Sequence, residues 1–175
     1  MKSISEELNL NNQKILLRLD LNVPLIDNKI TDTTRIDKII PTLKFLISQN
    51  TKIIIISHVG RPKGEVVNEL SLGPICKDLE IKLNQNIKLI TKDIKEINSE
   101  NLFNNDAEKI IMLENIRFYP DEEKNNPKFA KQLASLADIY VNDAFSCSHR
   151  AHASIDEITN FLPCYSGLQL DLEVG

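Results

Sequence analysis

The fold is decided by Lys52-Ile53-Ile54-Ile55-Ile56-Ser57-His58-Val59-Gly60-Arg61-Pro62-Lys63-Gly64. Its consecutive isoleucines form an unbroken apolar run, which is typical of a strand buried on both faces of a parallel sheet. The run stops at a polar pair, and the loop that follows holds two of the five glycines in the chain. Glycine permits close backbone approach, and ligands of open parallel sheets bind beyond the carboxyl ends of the strands. The stretch therefore predicts a buried strand followed by a binding loop.

Similar apolar runs recur at residues 14–19, 87–90, 109–113 and 138–141. Segments with helical spacing lie between the runs, and three of them are marked by Ile36, Ile39, Ile40, Leu43 and Ile47, by Ile75, Leu79 and Leu83, and by Phe129, Leu133 and Leu136. Strands that alternate with helices pair in parallel. We therefore predict one α/β domain over residues 1–175, a three-layer α/β/α sandwich with a mainly parallel sheet.

Local signals set the expected helix boundaries. Ser71 marks the start of the second helix, and Asn126 caps the third, with Pro127 at its first position. Pro41 lies inside the first helical segment, where it removes a backbone donor, so we expect a kink or two abutting helices. Residues 98–108 are polar and weakly periodic, which predicts a helix end and a loop.

The composition limits the classes of partner. The net charge is −4, and aromatic residues make up 5% of the chain with no tryptophan, so a nucleic-acid partner is not expected. The amino-terminal residues lack the apolar core of a signal peptide, and no apolar run approaches membrane-spanning length. Three widely spaced cysteines, at 76, 147 and 164, are typical of free thiols in a reducing compartment. We therefore expect a cytoplasmic protein without membrane contact.

The arginines are the most informative charges, because the chain has sixteen lysines and only five arginines. Each arginine lies in a short polar motif beside a predicted strand end or helix start, and the three histidines fall in the same motifs: Arg18, Arg35, Arg61, Arg117 and Arg150, with His58, His149 and His152. The planar guanidinium grips phosphate or carboxylate in a way that lysine does not. The motifs therefore predict an anion site where the strand ends converge.

Each motif also has a structural interpretation when taken alone. Alternation along the strand puts Arg18, Asp20 and Asn22 on one side, where a structural pair of Arg18 with Asp20 is an alternative. Residues 57–64 are compatible with a Gly/Pro turn, and residues 149–154 with a solvated bend. Glu114 and Arg117 are compatible with a mutual ion pair. Taken together the motifs favour function, because clustered like charges cost stability unless a ligand or carboxylates offset them.

Two kinds of site are missing from the sequence. It contains no GxxxxGK[ST] loop and no GxGxxG turn, and it has no carboxylate cluster typical of a magnesium site. The predicted anion is therefore not a nucleotide pyrophosphate, and no cofactor or metal is expected in this chain.

Six motifs together resemble the phosphoglycerate kinase family in order and spacing. They are residues 18–24, 34–36 with 41–42, 57–64, 113–118, 141–145 and 149–154. The resemblance covers nearly the whole chain but only the amino-terminal half of the two-domain enzyme. The sequence departs from the family pattern at Leu21, where Phe is usual, at Val59, where Leu is usual, and at Ser146-Cys147. None of these departures removes a charged group.

The resemblance implies a role for each motif residue. Asp20 and Asn22 look like contacts to the hydroxyl and carboxylate of 3-phosphoglycerate. The distal phosphate would be held by His58, Arg61, Arg117 and Arg150, with Arg18 and His149 in support. Arg35 looks like the catalytic arginine that steadies the transferring phosphoryl group, and it would also contact the substrate.

The implied function is the substrate-binding half of a glycolytic kinase that moves the acyl phosphate of 1,3-bisphosphoglycerate to ADP. Mg-ATP or Mg-ADP would be bound by a carboxyl-terminal nucleotide domain, which we do not expect within residues 1–175. The isolated chain is expected to be an inactive monomer. The alternative is a non-catalytic module that binds phosphorylated acids.

Overall fold

The computed structural model describes residues 1–105 and 107–174, and it is built on a parallel sheet of seven strands. Every neighbouring pair in this sheet runs parallel. In spatial order the strands are β1 (Lys2–Ser3), β9 (Cys164–Ser166), β8 (Ile139–Asp143), β2 (Lys14–Leu19), β5 (Lys52–Ile56), β7 (Ile110–Leu113) and β6 (Ile87–Ile90). A separate antiparallel hairpin pairs β3 (Leu25–Ile26) with β4 (Lys29–Ile30).

The five predicted strands are confirmed. The bounds of β2, β5 and β6 are those expected, and β7 begins one residue later than expected. Strand β8 begins one residue later and runs two residues further, through Asp143, because its ladder with β2 continues to the pair of Leu19 and Asp143. Two short strands were not predicted: β1 at the edge of the sheet, and β9 between β1 and β8.

Helices cover both faces of the sheet. They are α1 (Thr34–Ser48), α2 (Gly73–Leu83), α3 (Pro120–Glu123), α4 (Pro127–Ala134) and α5 (Leu168–Val174). In β5, Ile53 and Ile55 belong to the apolar cluster formed with α1 and α2, while Ile54 and Ile56 belong to the cluster formed with α4. The unbroken isoleucine run therefore serves two cores, and the predicted α/β/α sandwich is confirmed.

Helix α1 passes through Pro41 as one helix, so of the two outcomes expected there, a kink or two abutting helices, the second is wrong. Ile39, Leu43 and Leu46 are all at most 1% exposed, on both sides of the proline. Burial of these side chains against the sheet favours one continuous helix and offsets the backbone hydrogen bond that proline cannot make.

The other helix boundaries follow the expected chemistry with one shift. The Asn126 side chain accepts from the Phe129 amide at 3.1 Å, with Pro127 at the first helical position, as predicted. In α2 the residue before the helix is Leu72, one position after Ser71. Residues 98–105, 107 and 108 contain turns without a helix, and Asp106 lies outside the described residues.

The order of the strands identifies where a ligand should bind. From β2 the chain crosses to β5, β6 and β7 on one side, and then returns to β8 on the other side. Such a reversal opens a crevice beyond the carboxyl ends of the central strands. The polar residues that follow β2, β5, β7 and β8 all lie at this edge. Within the described residues, no helix has both the length and the apolar character needed to cross a membrane.

Candidate anion-binding site

A cavity of about 500 Å³ lies at the carboxyl edge of the sheet. Its walls come from the loops after β2, β5, β7 and β8, from the first turn of α1 and from the last residue of α3. The lining residues are Asn22, Arg35, His58, Gly60, Arg61, Lys63, Arg117, Glu123, Ser146, Cys147 and Arg150. Five lysine or arginine side chains therefore face one carboxylate, so the cavity is strongly cationic although the chain is acidic overall.

The structure brings together six of the nine residues predicted for the site. Asn22, Arg35, His58, Arg61, Arg117 and Arg150 line the cavity. Asp20 lies in an adjoining hollow of about 180 Å³, which shares Arg35 and Ser146 with the cavity. Arg18 is fully buried behind the wall. His149 is not in the lining, and its ring makes an edge contact with Phe145 at 6.3 Å between centroids.

The loop after β5 needs its glycines. Gly60 has φ +64°, and a Cβ there would lie 2.6 Å from Cδ2 of Leu70. Gly64 has φ +79°, and a Cβ there would lie 3.0 Å from the backbone of Pro120. The Gly60 amide donates to Oδ1 of Asn22 at 2.9 Å, and the Gly64 amide donates to the Arg117 carbonyl at 3.0 Å. The loop is thereby fixed to the segments that follow β2 and β7.

Arg117 is a buried cation with an unused donor. It belongs to a short 3-10 helix, Ile116–Phe118, and the Asn115 side chain caps this helix by accepting from the Arg117 amide at 3.1 Å. The residue is 8% exposed, and its Nε has no hydrogen-bond partner within the described part of the chain. Burial lowers the pKa of Arg117, and Arg18 and Arg150 add to the effect. An anion in the cavity would satisfy both the charge and the donor.

The alternative interpretation of Glu114 and Arg117 as a mutual ion pair is wrong. The Glu114 carboxylate accepts from the Ser71 hydroxyl at 2.7 Å and from the Leu72 amide at 2.8 Å. Its negative charge therefore lies at the amino terminus of α2, where the helix dipole favours an anion. Arg117 is left available for a ligand.

Arg18 supports the site from within the protein. Its guanidinium donates to the Leu19 carbonyl at 2.7 Å, to Oγ of Ser57 at 3.3 Å and to Oγ of Ser154 at 3.0 Å. Its Nη2 also lies 2.8 Å from Nδ1 of His58. The structural pair of Arg18 with Asp20 is therefore wrong, because Arg18 turns into the protein while Asp20 lies at the mouth of the cavity.

His58 is a neutral member of this cationic site. It is 2% exposed, and burial together with Arg18 and Arg117 lowers the pKa of His58 to about 2. Because a guanidinium can only donate, Nδ1 of His58 accepts from Arg18, and the single ring proton is on Nε2. His58 therefore offers the cavity an N–H donor and not a positive charge.

Asp20 and Arg35 form an ion pair at the mouth of the cavity. Nη1 of Arg35 lies 3.0 and 3.1 Å from the two carboxylate oxygens of Asp20. The Ser146 hydroxyl also donates to Asp20. The Arg35 side chain is 47% exposed, so the pair is accessible from outside.

Comparison with known proteins identifies the family of this sequence and fold. A family model described as phosphoglycerate kinase matches residues 5–175. The chain belongs to the phosphoglycerate kinase family. The resemblance inferred from the six motifs is thereby confirmed.

Relatives and solved structures of the phosphoglycerate kinase family agree with this assignment. Phosphoglycerate kinase of Wolbachia pipientis wMel is 52% identical over 169 residues, which cover 97% of this chain and 42% of the relative. The enzyme of Moorella thermoacetica is 44% identical over 97% of this chain. The structure from Coxiella burnetii has a TM-score of 0.88 at 38% identity, covering 98% of this chain and 42% of that one. The chain thus spans about two fifths of the length of these relatives.

Five lining residues were not among the site residues predicted for this member of the phosphoglycerate kinase family: Gly60, Lys63, Glu123, Ser146 and Cys147. Lys63 lies in the predicted binding loop, but its charge was not used to predict the site. Ser146 and Cys147 were noted only as departures from the family pattern. Glu123 gave no signal, because an exposed acidic residue on a short helix has many explanations.

The donors of the cavity suit an anion and do not suit Mg²⁺. Magnesium binds carboxylate and other oxygen ligands, and Glu123 is the single carboxylate in the lining. Across the described residues, no group of three His, Cys, Asp or Glu side chains is placed to hold a metal ion. A larger hollow of about 870 Å³ lies at the opposite edge of the sheet, where Lys77, Lys88, Lys109, Glu80 and Glu108 mix both charges. That hollow contains none of the predicted site residues.

Proposed function

We propose that this chain binds 3-phosphoglycerate and 1,3-bisphosphoglycerate as the substrate-binding part of a phosphoglycerate kinase. The reaction is the reversible transfer of the acyl phosphate of 1,3-bisphosphoglycerate to ADP. The observation that carries the proposal is the cavity, where Arg61, Arg117 and Arg150 converge without a carboxylate at ion-pair distance in the described part of the chain. Unpaired guanidiniums are the groups that a phosphate dianion requires.

The distal phosphate of the substrate would sit between Arg61, Arg117 and Arg150. The neutral His58 would donate its Nε2–H to a phosphate oxygen. Arg117 gains most from this arrangement, because its buried Nε has no other partner within the described residues. Lys63, at the same wall, would add a point charge without bidentate geometry.

The reacting end of the substrate would lie toward Asn22, Asp20 and Arg35. Asn22 is held in place by the Gly60 amide, so its own amide group is free to donate to a substrate oxygen. Asp20 would accept from the substrate hydroxyl, and this contact competes with Arg35 and Ser146 for the same carboxylate. Release of Arg35 from Asp20 would then let its guanidinium stabilise charge on the transferring phosphoryl group.

We also propose that a second domain binds the magnesium nucleotide and closes over this cavity. The site of the present chain would then contribute orientation and charge stabilisation, which are the main demands of phosphoryl transfer. The three cysteines are free thiols, which supports action in a reducing compartment such as the cytoplasm.

Titration calorimetry with 3-phosphoglycerate tests the proposal, and glycerate, which lacks the phosphate, is the matched control ligand. We expect binding of the first and little of the second. A folded sample that gives no heat with millimolar 3-phosphoglycerate would overturn the substrate assignment. Tight binding combined with no phosphoryl transfer after a nucleotide domain is supplied would favour the non-catalytic module.

A further inference from the structure

A fully buried carboxylate lies behind the cavity with no role yet assigned. Glu122, in α3, is 0% exposed. Its Oε1 accepts from the Ser154 amide at 2.7 Å, and its Oε2 accepts from the Ser154 hydroxyl. Its backbone carbonyl accepts from the Ala153 amide at 2.8 Å. An ionised carboxylate is costly to bury, so its retention here needs a nearby positive charge.

Arg18 supplies that positive charge, and the Ser154 hydroxyl lies between Arg18 and Glu122. The Ser154 Oγ gives its only proton to Glu122 and accepts from Nε of Arg18 at 3.0 Å. Arg18 is itself 0% exposed and forms no direct ion pair with a carboxylate of the described residues. Ser154 therefore connects two buried opposite charges through a pair of charge-assisted hydrogen bonds.

The other end of Arg18 fixes the ring of His58. Arg18 reaches Nδ1 of His58 at 2.8 Å, which leaves the ring proton on Nε2. The chain of contacts thus runs from Glu122 through Ser154 and Arg18 to a lining residue of the cavity. It also fixes the base of the segment that carries Arg150, because Ala153 and Ser154 are both bonded to Glu122.

We infer that Glu122 is a positioning residue, which acts through Ser154 and Arg18 to keep His58 in the Nε2-protonated form and to hold the Arg150 segment against the cavity. This inference rests on the proposed function for its ligand, 3-phosphoglycerate. In Glu122→Gln the new amide can donate to Ser154 Oγ in competition with Arg18. Arg18 then loses its fixed orientation, and the other His58 tautomer becomes accessible.

The direction in which Glu122→Gln changes the affinity distinguishes a loss of positioning from the mere loss of a negative charge. Glu122→Gln removes a negative charge close to the cavity, so electrostatics alone would tighten binding of an anion. Loss of positioning would instead weaken the binding of the anion. We expect affinity for 3-phosphoglycerate to fall roughly tenfold or more, the range for hydrogen bonds to charged groups. Asp121→Asn is the matched control, because it makes the same charge change one residue away in α3.

Imidazole nitrogen shifts of His58, measured by NMR on the ligand-free 175-residue chain in phosphate-free buffer, provide a readout independent of binding. We expect Nε2 protonated and Nδ1 unprotonated in the native chain and in Asp121→Asn, with a mixture in Glu122→Gln. A native ring protonated at Nδ1 overturns the inference. So does a Glu122→Gln variant that binds as tightly as the control.

Ser154→Ala keeps the carboxylate and removes the connecting hydroxyl, which serves if Glu122→Gln does not fold. The same loss of affinity and the same tautomer mixture are expected, and native behaviour of Ser154→Ala counts against the inference. Failure of the native chain to bind 3-phosphoglycerate would overturn the proposed function alone. The tautomer measurement would still decide the role of Glu122.

Discussion

Replacing Arg117 by methionine should weaken ligand binding and at the same time stabilise the ligand-free fold. Arg117 is 8% exposed, its Nε lacks a hydrogen-bond partner in the described structure, and its pKa is lowered by burial and by Arg18 and Arg150. Methionine keeps an unbranched apolar stem that can fill the same space while removing the charge.

The expected magnitudes follow from what Arg117 contacts. Hydrogen bonds to a charged group contribute about 1.5–3 kcal/mol, so affinity for 3-phosphoglycerate should fall roughly 10- to 150-fold. Relief of a buried charge without a partner should raise the free energy of unfolding by about 1 kcal/mol, which is about 2–4 °C in Tm for a chain of this size.

Titration calorimetry and thermal unfolding in phosphate-free buffer measure the two effects on the same samples. Arg61→Met is the control, because Arg61 is exposed and lines the same cavity. It should lose affinity with almost no change in Tm. A lower Tm for Arg117→Met would refute the reasoning, because the guanidinium would then stabilise the empty protein and not the complex.

Three further results are expected. Burial raises the pKa of Asp143 to about 6 from its ordinary 3.8, so the stability gained from the protonated carboxyl is complete below about pH 4 and is lost as pH rises through 6. Asp143→Asn should therefore reduce the difference in unfolding free energy between pH 4 and pH 7, measured by denaturant unfolding, by up to about 3 kcal/mol. Gly60→Ala, at φ +64° and with the new Cβ against Leu70, should cost about 1–2 kcal/mol of unfolding free energy, whereas Gly73→Ala, with its nearest contact at 3.4 Å, should stay within about 0.5 kcal/mol. Arg35→Ala in a two-domain enzyme should lower kcat more than it weakens substrate binding, and the reverse order in steady-state kinetics would contradict its proposed contact with the transferring group.

The sheet was predictable because its central strands are buried on both faces. A run such as Ile53 to Ile56 lacks the polar residues that an amphipathic helix or a loop would contain. Three of the five predicted strands have the bounds that were expected. The two-residue strands β1 and β3 escaped prediction, since such short pairings depend on partners elsewhere in the fold. Strand order was also out of reach, because it is set by how the helices pack and not by local pattern.

The hydrogen-bond partners of the charged side chains were predicted less well than the positions of those residues in the fold. The alternative interpretations paired Glu114 with Arg117 and Arg18 with Asp20, because sequence shows only near neighbours. The actual partners are distant along the chain: Ser71 for Glu114, and Ser154 for Arg18. Glu122 shows the same limit, since its sequence context resembles that of an exposed acidic residue while the structure buries it completely.

The neutrality of His58 changes what the pH dependence of binding would report. With its pKa lowered to about 2, His58 does not titrate under any condition in which the protein would work, and burial also lowers the pKa of His152. A phosphate monoester loses its second proton near pH 6. Between pH 5 and pH 8, the ionisation of a bound phosphate would therefore outweigh that of His58. A change of affinity in that range would therefore report the ionisation of the ligand and not that of His58.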